Sequence, residues 1–210
     1  MESNKMMKTI LKLAVIWLMP LTAIAAEYEA GTHYKVLDRP IKSNSDAIIV
    51  NEFFGYSCPH CNAFVPALHN WSKQQSDSVR LVEVPVTFGR SWENYAKAYY
   101  IGLQLGILEQ THDAMYNAVH VEKRRILSKK ALGKFFAEQG VSEADFENAY
   151  NSFDLQNKLR QGKNLTVRAK ITSVPSMLVN GKYMVDINMA GSPEGMLAVV
   201  DYLVAQEQAK

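Results

Sequence analysis

Residues 47–61 read AIIVNEFFGYSCPHC, and this stretch decides the fold of the chain. Residues 47–54 are rich in β-branched and aromatic side chains, which predicts a buried strand. Gly55-Tyr56-Ser57 then turns the chain into two cysteines that are separated by two residues. Pro59 suits the first turn of a helix, because its missing N–H group leaves no hydrogen bond unmade there. The stretch therefore predicts a strand, a tight turn and a helix that begins at the cysteine pair.

Strand patterns recur at four more places along the chain. The predicted strands are residues 34–37, 79–88, 176–179 and 183–187. Asn180-Gly181 joins the last two strands and is typical of a hairpin turn. Residues 89–170 have a helical pattern throughout, and a last helix is predicted to begin at Ser192.

Serine residues precede several helical patterns in the middle of the chain. We expect Ser91, Ser128 and Ser142 to be N-cap residues, because a serine hydroxyl accepts a hydrogen bond from an unpaired N–H group in the first turn. A further long helix is predicted over residues 154–170.

This order of elements predicts an α/β protein with a thioredoxin-like fold and a helical insertion. A strand–helix–strand unit that is followed by a hairpin and a helix forms a thioredoxin-like core. We expect residues 26–88 and 171–210 to form this core, and residues 89–170 to form an inserted helical domain.

The first 25 residues have the pattern of a cleaved signal peptide. Lysines precede the apolar stretch at residues 13–21, and Ala23-Ile24-Ala25 is a small-x-small cleavage pattern. We expect cleavage after this tripeptide, which would leave a soluble exported protein. Met1, Met6 and Met7 are alternative start residues, since the later two would give a more compact leader.

The overall charge of the chain argues against a nucleic-acid partner. The 210 residues include 23 Lys and Arg and 21 Asp and Glu, so the net charge is only +2. Proteins that bind nucleic acid usually present a strongly basic surface. A chain of this length also buries a sizeable core without disulfide bonds.

Cys58 and Cys61 are the only cysteines of the chain. A disulfide across so small a loop restricts the unfolded chain only weakly, which favours a chemical role over a stabilising one. At the start of a helix, unpaired N–H groups and the helix dipole stabilise a thiolate and lower the pKa of a cysteine below about 8.5. His60 adds an N–H donor or a positive charge. We therefore expect a redox-active disulfide that works by thiol–disulfide exchange without a cofactor.

Other interpretations of the cysteine pair remain open at this point. It could be a passive bridge, or it could bind a metal ion with a histidine, but there is no second Cys/His pair with zinc spacing and we predict no metal site. Asn62 excludes the haem attachment motif Cys-x-x-Cys-His. The protein could also be a non-catalytic client-binding module, which would keep its activity without the cysteines.

Four segments together carry a family resemblance. They are Glu27-Tyr28-Glu29-x-Gly31, Phe53-Phe54-x-x-x-Cys58-Pro59-His60-Cys61, Thr172-Ser173-Val174-Pro175 and Val179-Asn180-Gly181-Lys182-Tyr183. The chain resembles the DsbA family of bacterial periplasmic dithiol oxidases over nearly all of its length after the leader. The resemblance implies a periplasmic protein that introduces disulfide bonds into reduced exported client proteins through Cys58 and Cys61.

The resemblance also implies partners. The family is reoxidised by DsbB, a quinone-linked membrane protein. A disulfide isomerase or reductase of the same fold is the alternative, and such isomerases usually carry a dimerisation segment. Residues 26–46 are too few for such a segment, so we expect a monomer.

Several site residues follow from the resemblance alone. Pro59 and His60, between the cysteines, are the dipeptide of this branch of the thioredoxin-like proteins. Val174 and Pro175 resemble the cis-proline loop that faces the disulfide and pairs with a client strand.

Glu52 resembles the buried acid beneath the active site of the family. The resemblance makes it a candidate proton relay for Cys61, and burial is expected to raise its pKa. Some family members place a lysine near this acid on the following strand, where this chain has Arg80 and Glu83.

Overall fold

A computed structural model describes residues 28–210 of the chain. The predicted leader at residues 1–25, its cleavage site and the choice among Met1, Met6 and Met7 lie outside the described residues. Within the described range there are five strands: β1 (Lys35–Val36), β2 (Ile48–Phe54), β3 (Val79–Pro85), β4 (Ser176–Val179) and β5 (Tyr183–Asp186). The same range has eight helices: α1 (Pro59–Gln74), α2 (Arg90–Gln104), α3 (Leu108–His120), α4 (Lys129–Glu138), α5 (Glu143–Tyr150), α6 (Phe153–Arg168), α7 (Ile187–Ala190) and α8 (Pro193–Gln208).

The strands form one mixed sheet in the order β1-β5-β4-β2-β3. β2 pairs in parallel with β3 and antiparallel with β4, so the strand before the cysteines lies inside the sheet. β3 lies at the edge, where Pro85, which has no N–H group to donate, is tolerated at its end. The α/β architecture predicted from the sequence is confirmed.

The two faces of the sheet are covered by different parts of the chain. On one face, Phe64 of α1 and Val200 of α8 pack with Val50 of β2. On the other face, Phe53 packs with Ile171, which follows α6. Val50 and Phe53 differ by an odd number of residues, so their side chains point to opposite faces of β2, and both are fully buried.

The helices between β3 and β4 have an apolar core of their own. Leu132, Phe136 and Phe146 belong to it, and Phe54 from the end of β2 reaches into it. Both cysteines also contact this core, so the cysteine pair lies where the helical region meets the sheet. The five strands of the described part all lie outside residues 89–170, and the domain boundaries at these residues stay a prediction. Among the described helices, none is both long and apolar enough to cross a membrane.

Two of the three predicted serine caps are confirmed and one is wrong. The hydroxyls of Ser128 and Ser142 accept hydrogen bonds from backbone N–H groups three residues later, at 3.2 and 3.1 Å. Ser91 instead lies inside α2, because Gly89 is the N-cap residue and no side chain caps this helix.

The hairpin turn at Asn180 and Gly181 is confirmed, with one difference in its length. Both residues have positive φ angles, of 49° and 64°, as a type I′ turn requires. The N–H group of Lys182 closes the turn on the carbonyl of Val179 at 2.9 Å. Val179 pairs with Tyr183, so three residues rather than two connect the strands.

Candidate active site

Cys58 is the N-cap residue of α1, and its sulfur faces unpaired N–H groups of the first turn. Its Sγ accepts a hydrogen bond from the backbone N–H of Cys61 at 3.4 Å. A hydrogen bond from the Cys61 side chain, the N–H groups of Cys61 and His60 and the charge of His60 outweigh burial and lower the pKa of Cys58 to about 6. Cys58 is therefore largely a thiolate at neutral pH.

Cys61 is in the opposite state. Its side chain is completely buried within α1. Burial, the hydrogen bond to Cys58 and the charge of Glu52 raise the pKa of Cys61. Both cysteines are free, so the structure describes the reduced form, in which Cys58 ionises readily and Cys61 is held protonated.

The residues between the cysteines are exposed. Pro59 is the first residue of α1, where its lack of an N–H group is harmless. His60 is also exposed, and it acts on Cys58 through its backbone N–H group and its charge. Pro59 therefore lies in the first helical turn, where the sequence predicts it.

The segment with Val174 and Pro175 lies directly against Cys58. Cys58 Sγ lies 3.5 Å from the carbonyl oxygen of Val174, across 116 residues of sequence, and donates a hydrogen bond to it when Cys58 is protonated. The peptide bond between Val174 and Pro175 is cis, as the resemblance implied. β4 begins at the next residue, so the sheet fixes this segment beside the cysteine pair.

Glu52 is a buried carboxyl on β2, with only 1% of its surface exposed. Burial, together with the negative charges of Glu83 and Cys58, raises its pKa well above the ordinary value. Its Oε1 atom has no hydrogen-bond partner among the described residues. In the parallel register Glu83 of β3 lies opposite Glu52, whereas Arg80 lies opposite Ile49 and is exposed. β3 therefore sets a second carboxylate, and not a cation, beside Glu52.

Known proteins share both the sequence and the fold of this chain. A family model described as a DSBA-like thioredoxin domain matches residues 93–194. The chain is 35% identical over 198 residues to the thiol:disulfide interchange protein DsbA of Pseudomonas aeruginosa, and the match covers 94% of each chain. The chain belongs to the DsbA family. It is accordingly a thiol:disulfide oxidoreductase, as predicted.

Solved DsbA structures agree with this assignment. A crystal structure of Pseudomonas aeruginosa DsbA has a TM-score of 0.83 and 35% identity, and the match covers 87% of this chain and 95% of that one. DsbA from Xylella fastidiosa has a TM-score of 0.81 and 30% identity, over 87% of this chain and 99% of that one. The predicted thioredoxin-like fold with a helical insertion is confirmed.

No sequence pattern indicates the cluster of side chains that lies beside Glu52. His69 of α1 and His112 of α3 approach Glu83 of β3, with Nε2–Oε1 distances of 3.7 and 3.6 Å. Since the three residues belong to three separate elements and form no known motif, only the packing of α1 and α3 against β3 brings them together.

Aromatic residues surround the buried member of this cluster. His112 contacts the rings of Phe54, Tyr56, Tyr99 and Tyr116 edge-on or at a tilt. Its Nδ1 atom lies 2.9 Å from the hydroxyl of Tyr56, a residue of the turn that leads to Cys58. Phe54, Tyr56 and Tyr99 are distant from His112 in sequence, so these three contacts could not be foreseen, whereas Tyr116 lies one turn further along α3.

Proposed function

We propose that the protein is a periplasmic dithiol oxidase that introduces disulfide bonds into reduced exported client proteins. The difference between a Cys58 pKa of about 6 and a raised Cys61 pKa carries this proposal. A stabilised Cys58 thiolate favours the dithiol form, so the disulfide form readily oxidises a client. The Cys58 pKa lies about one unit below pH 7, and only this unit stabilises the thiolate at that pH. It is worth at most about 1.4 kcal/mol, or roughly 30 mV in the reduction potential.

The first step forms a mixed disulfide with the client. A client thiolate attacks Cys58 Sγ of the Cys58–Cys61 disulfide, because Cys58 lies at the helix start and is 9% exposed, whereas Cys61 is completely buried. The Cys58–Cys61 bond breaks, and Cys61 leaves as a thiolate that needs a proton. Glu52, whose raised pKa keeps it protonated, is the proposed donor of that proton.

The second step releases the oxidised client. A second client thiolate attacks the client sulfur of the mixed disulfide, and the bond between that sulfur and Cys58 breaks. Cys58 leaves as a thiolate, which its low pKa favours. The client has lost two electrons and gained a disulfide, and the protein is left as a dithiol.

Client binding is proposed at the surface around Cys58. Pro59 and His60 are exposed, and the carbonyl oxygen of Val174 lies 3.5 Å from Cys58 Sγ. A client strand that pairs with the backbone beside Pro175 would set its own cysteine next to Cys58.

The predicted leader supports export to the periplasm, and the family resemblance supports reoxidation by a membrane protein of the DsbB type. We also propose a monomer, with residues 89–170 as an inserted domain. Amino-terminal sequencing of the exported protein should begin at residue 26, and light scattering should give the mass of one chain. A start upstream of residue 13, or a stable dimer, would contradict these points.

Substitution of each cysteine tests the order of the two steps. Cys58→Ser should abolish oxidation of a reduced two-cysteine client peptide, because no other residue accepts the client thiolate. Cys61→Ser should accumulate a mixed disulfide in the presence of an oxidised client, detected as a mass adduct that a reductant removes. Absence of the adduct, or trapping by Cys58→Ser instead, would reverse the assigned roles.

A redox titration separates the oxidase from an isomerase or reductase. The purified mature protein is equilibrated with glutathione buffers, and the fraction in the Cys58–Cys61 disulfide is read. An oxidase should have a potential well above that of thioredoxin, about −270 mV. A potential near that value, together with faster repair of scrambled disulfides than oxidation of a reduced client, would favour the isomerase or reductase.

A further inference from the structure

His69, Glu83 and His112 present three metal-ligating atoms to one another. These atoms, one from each residue, all lie within 4.8 Å of each other. Two imidazole nitrogens and one carboxylate oxygen form the ligand set His₂Glu, which holds Zn²⁺ in proteins and leaves a fourth position for water. In a tetrahedral zinc site neighbouring ligand atoms are about 3.4 Å apart, so the Nε2–Oε1 distances of 3.7 and 3.6 Å need to shorten only slightly.

Two of the three atoms that face the centre of this cluster lack hydrogen-bond partners. Among the described residues, Glu83 Oε1 and His112 Nε2 are both buried and unpaired. His112 is only 4% exposed, and an unpaired polar atom at such a site is costly. A cation bound between the three side chains would satisfy both atoms at once.

The outer atoms of the same residues are held in place, as is typical of metal sites. Tyr99 donates a hydrogen bond to Glu83 Oε2 at 3.4 Å, which leaves Oε1 turned inward. The Tyr56 hydroxyl oxygen, 2.9 Å from His112 Nδ1, can accept a hydrogen bond from the Nδ1–H group. The tautomer with that proton on Nδ1 has a lone pair on Nε2, which is the form that binds a metal ion.

The cluster is also reachable from solvent. The side chain of His69 is 40% exposed, and that of Glu83 is 15% exposed. His69 lines a surface groove of about 430 Å³ together with Asp113 and Asn117. An ion that enters the site would therefore pass His69, the ligand that opens to this groove.

From these contacts we infer that His69, Glu83 and His112 form a binding site for one zinc ion, separate from the cysteine pair. Imidazole ligands select a transition metal over Ca²⁺ or Mg²⁺, which prefer sites made of oxygen atoms alone. The three ligands come from α1, β3 and α3, so a bound ion joins the helix of the cysteine pair to the sheet and to the insertion.

Calorimetric titration with ZnCl₂ tests the site in the mature protein without a histidine tag. The protein is first oxidised, because free Cys58 and Cys61 would themselves bind zinc. We expect one equivalent of zinc per chain. His69→Ala removes a half-exposed ligand, and Glu83→Gln keeps the size of the side chain, and each should weaken binding at least tenfold. His33→Ala, a histidine outside the cluster, should leave binding unchanged.

Cobalt provides a second readout that a purely structural effect of the substitutions would not mimic. Co²⁺ added to the oxidised protein should give the intense visible bands of tetrahedral coordination, and His69→Ala and Glu83→Gln should lose them while their circular dichroism stays that of the folded protein. No stoichiometric zinc binding by the oxidised protein would overturn the site. Binding that either of the two variants retains in full would also overturn it, and the cluster would then be an ion pair of Glu83 with His69.

Discussion

At the scale of the residue, position within one helix turn gives two chemically identical thiols different pKa values. Cys58 caps α1 and gains hydrogen bonds that lower its pKa to about 6, whereas Cys61 is buried one turn further on and its pKa is raised. Glu52 follows the same rule as Cys61, because burial disfavours its charged form and Glu83 adds repulsion. The site therefore favours the charged form of Cys58 at the helix start and the neutral forms of Cys61 and Glu52 behind it.

Glu52→Gln should make the protein more stable at neutral pH. The pKa of Glu52 is raised in the folded state, so folding takes up a proton once the pH exceeds the ordinary pKa of about 4.3. The stability contributed by Glu52 is complete below that pH and is lost as the pH rises toward the folded-state pKa, by about 1.4 kcal/mol per pH unit. Urea unfolding from pH 4 to 8 should show Glu52→Gln gaining over the natural protein as the pH rises.

Exposed Glu109 supplies the matched control for this measurement. Glu109→Gln makes the same chemical change at an exposed position of α3, so its difference from the natural protein should stay flat across this pH range, whereas Glu52→Gln removes a buried carboxyl. A Glu52→Gln difference that is equally flat would contradict the raised pKa. If Glu52 is the proton donor to Cys61, Glu52→Gln should also slow formation of the mixed disulfide about tenfold or more.

At the scale of the element, hydrogen bonds at the helix starts decide where helices begin. Ser128 and Ser142 cap α4 and α5 as their sequences predict. Before α2, however, Gly89 takes the N-cap position and Ser91 becomes the second helical residue. Trp92 in the same turn packs against the core of the helical region, so tertiary packing of α2 overrides the local preference for a serine cap.

Ser128→Ala and Ser91→Ala should therefore differ in their effects on stability. Loss of the Ser128 hydroxyl leaves the N–H group of Ala131 without its partner and should cost about 1 kcal/mol. Ser91→Ala removes no cap and places a better helix former in an exposed helical position, so its free energy of unfolding should change by less than about 0.5 kcal/mol. Chemical denaturation of both variants measures the two values. Equal losses would contradict the boundary of α2.

At the scale of the whole molecule, Glu207 ties the last helix to the hairpin of the sheet. Its side chain is only 3% exposed and accepts hydrogen bonds from Asn180, Lys182, Tyr183 and Lys210. Burial alone would raise its pKa, but the donors from Lys182, Lys210 and Asn180 outweigh burial and lower the pKa to about 2. One carboxylate thus fixes α8 against the turn between β4 and β5.

Glu207→Gln should weaken the protein at neutral pH and have little effect in acid. A lowered folded-state pKa contributes stability that is present above the ordinary pKa of about 4.3 and is lost as the pH falls toward about 2. We expect a loss of about 1–3 kcal/mol at pH 7, after allowance for partial solvent screening of the lysines. Thermal or urea unfolding at pH 7, 4 and 2.5 should show the gap closing.

Glu194→Gln on the exposed first turn of the same helix is the comparison. This substitution removes a charge from α8 without touching the hairpin, so it should cost less than about 1 kcal/mol at pH 7. If it costs as much as Glu207→Gln, the network around Glu207 does not hold the helix to the sheet.

The chain's own residues predicted the elements and the redox motif because both depend on neighbours in sequence. Three examples are the β-branched run of β2, the turn dipeptide Asn180-Gly181 and the helix cap at Ser128. Each pattern depends only on residues close together in sequence, and each element lies where its pattern predicts. Two cysteines at the start of a helix likewise identify a thiolate site by local geometry alone.

Only the tertiary structure decided the surroundings of that motif. Val174 reaches Cys58 across 116 residues, and Glu83 lies opposite Glu52 because β2 and β3 pair in one particular register. The meeting of His69, Glu83 and His112 depends on the packing of two helices against that same strand. Such contacts arise from burial and sheet pairing between distant segments, which no local pattern encodes, and they set the pKa values and the proposed metal site.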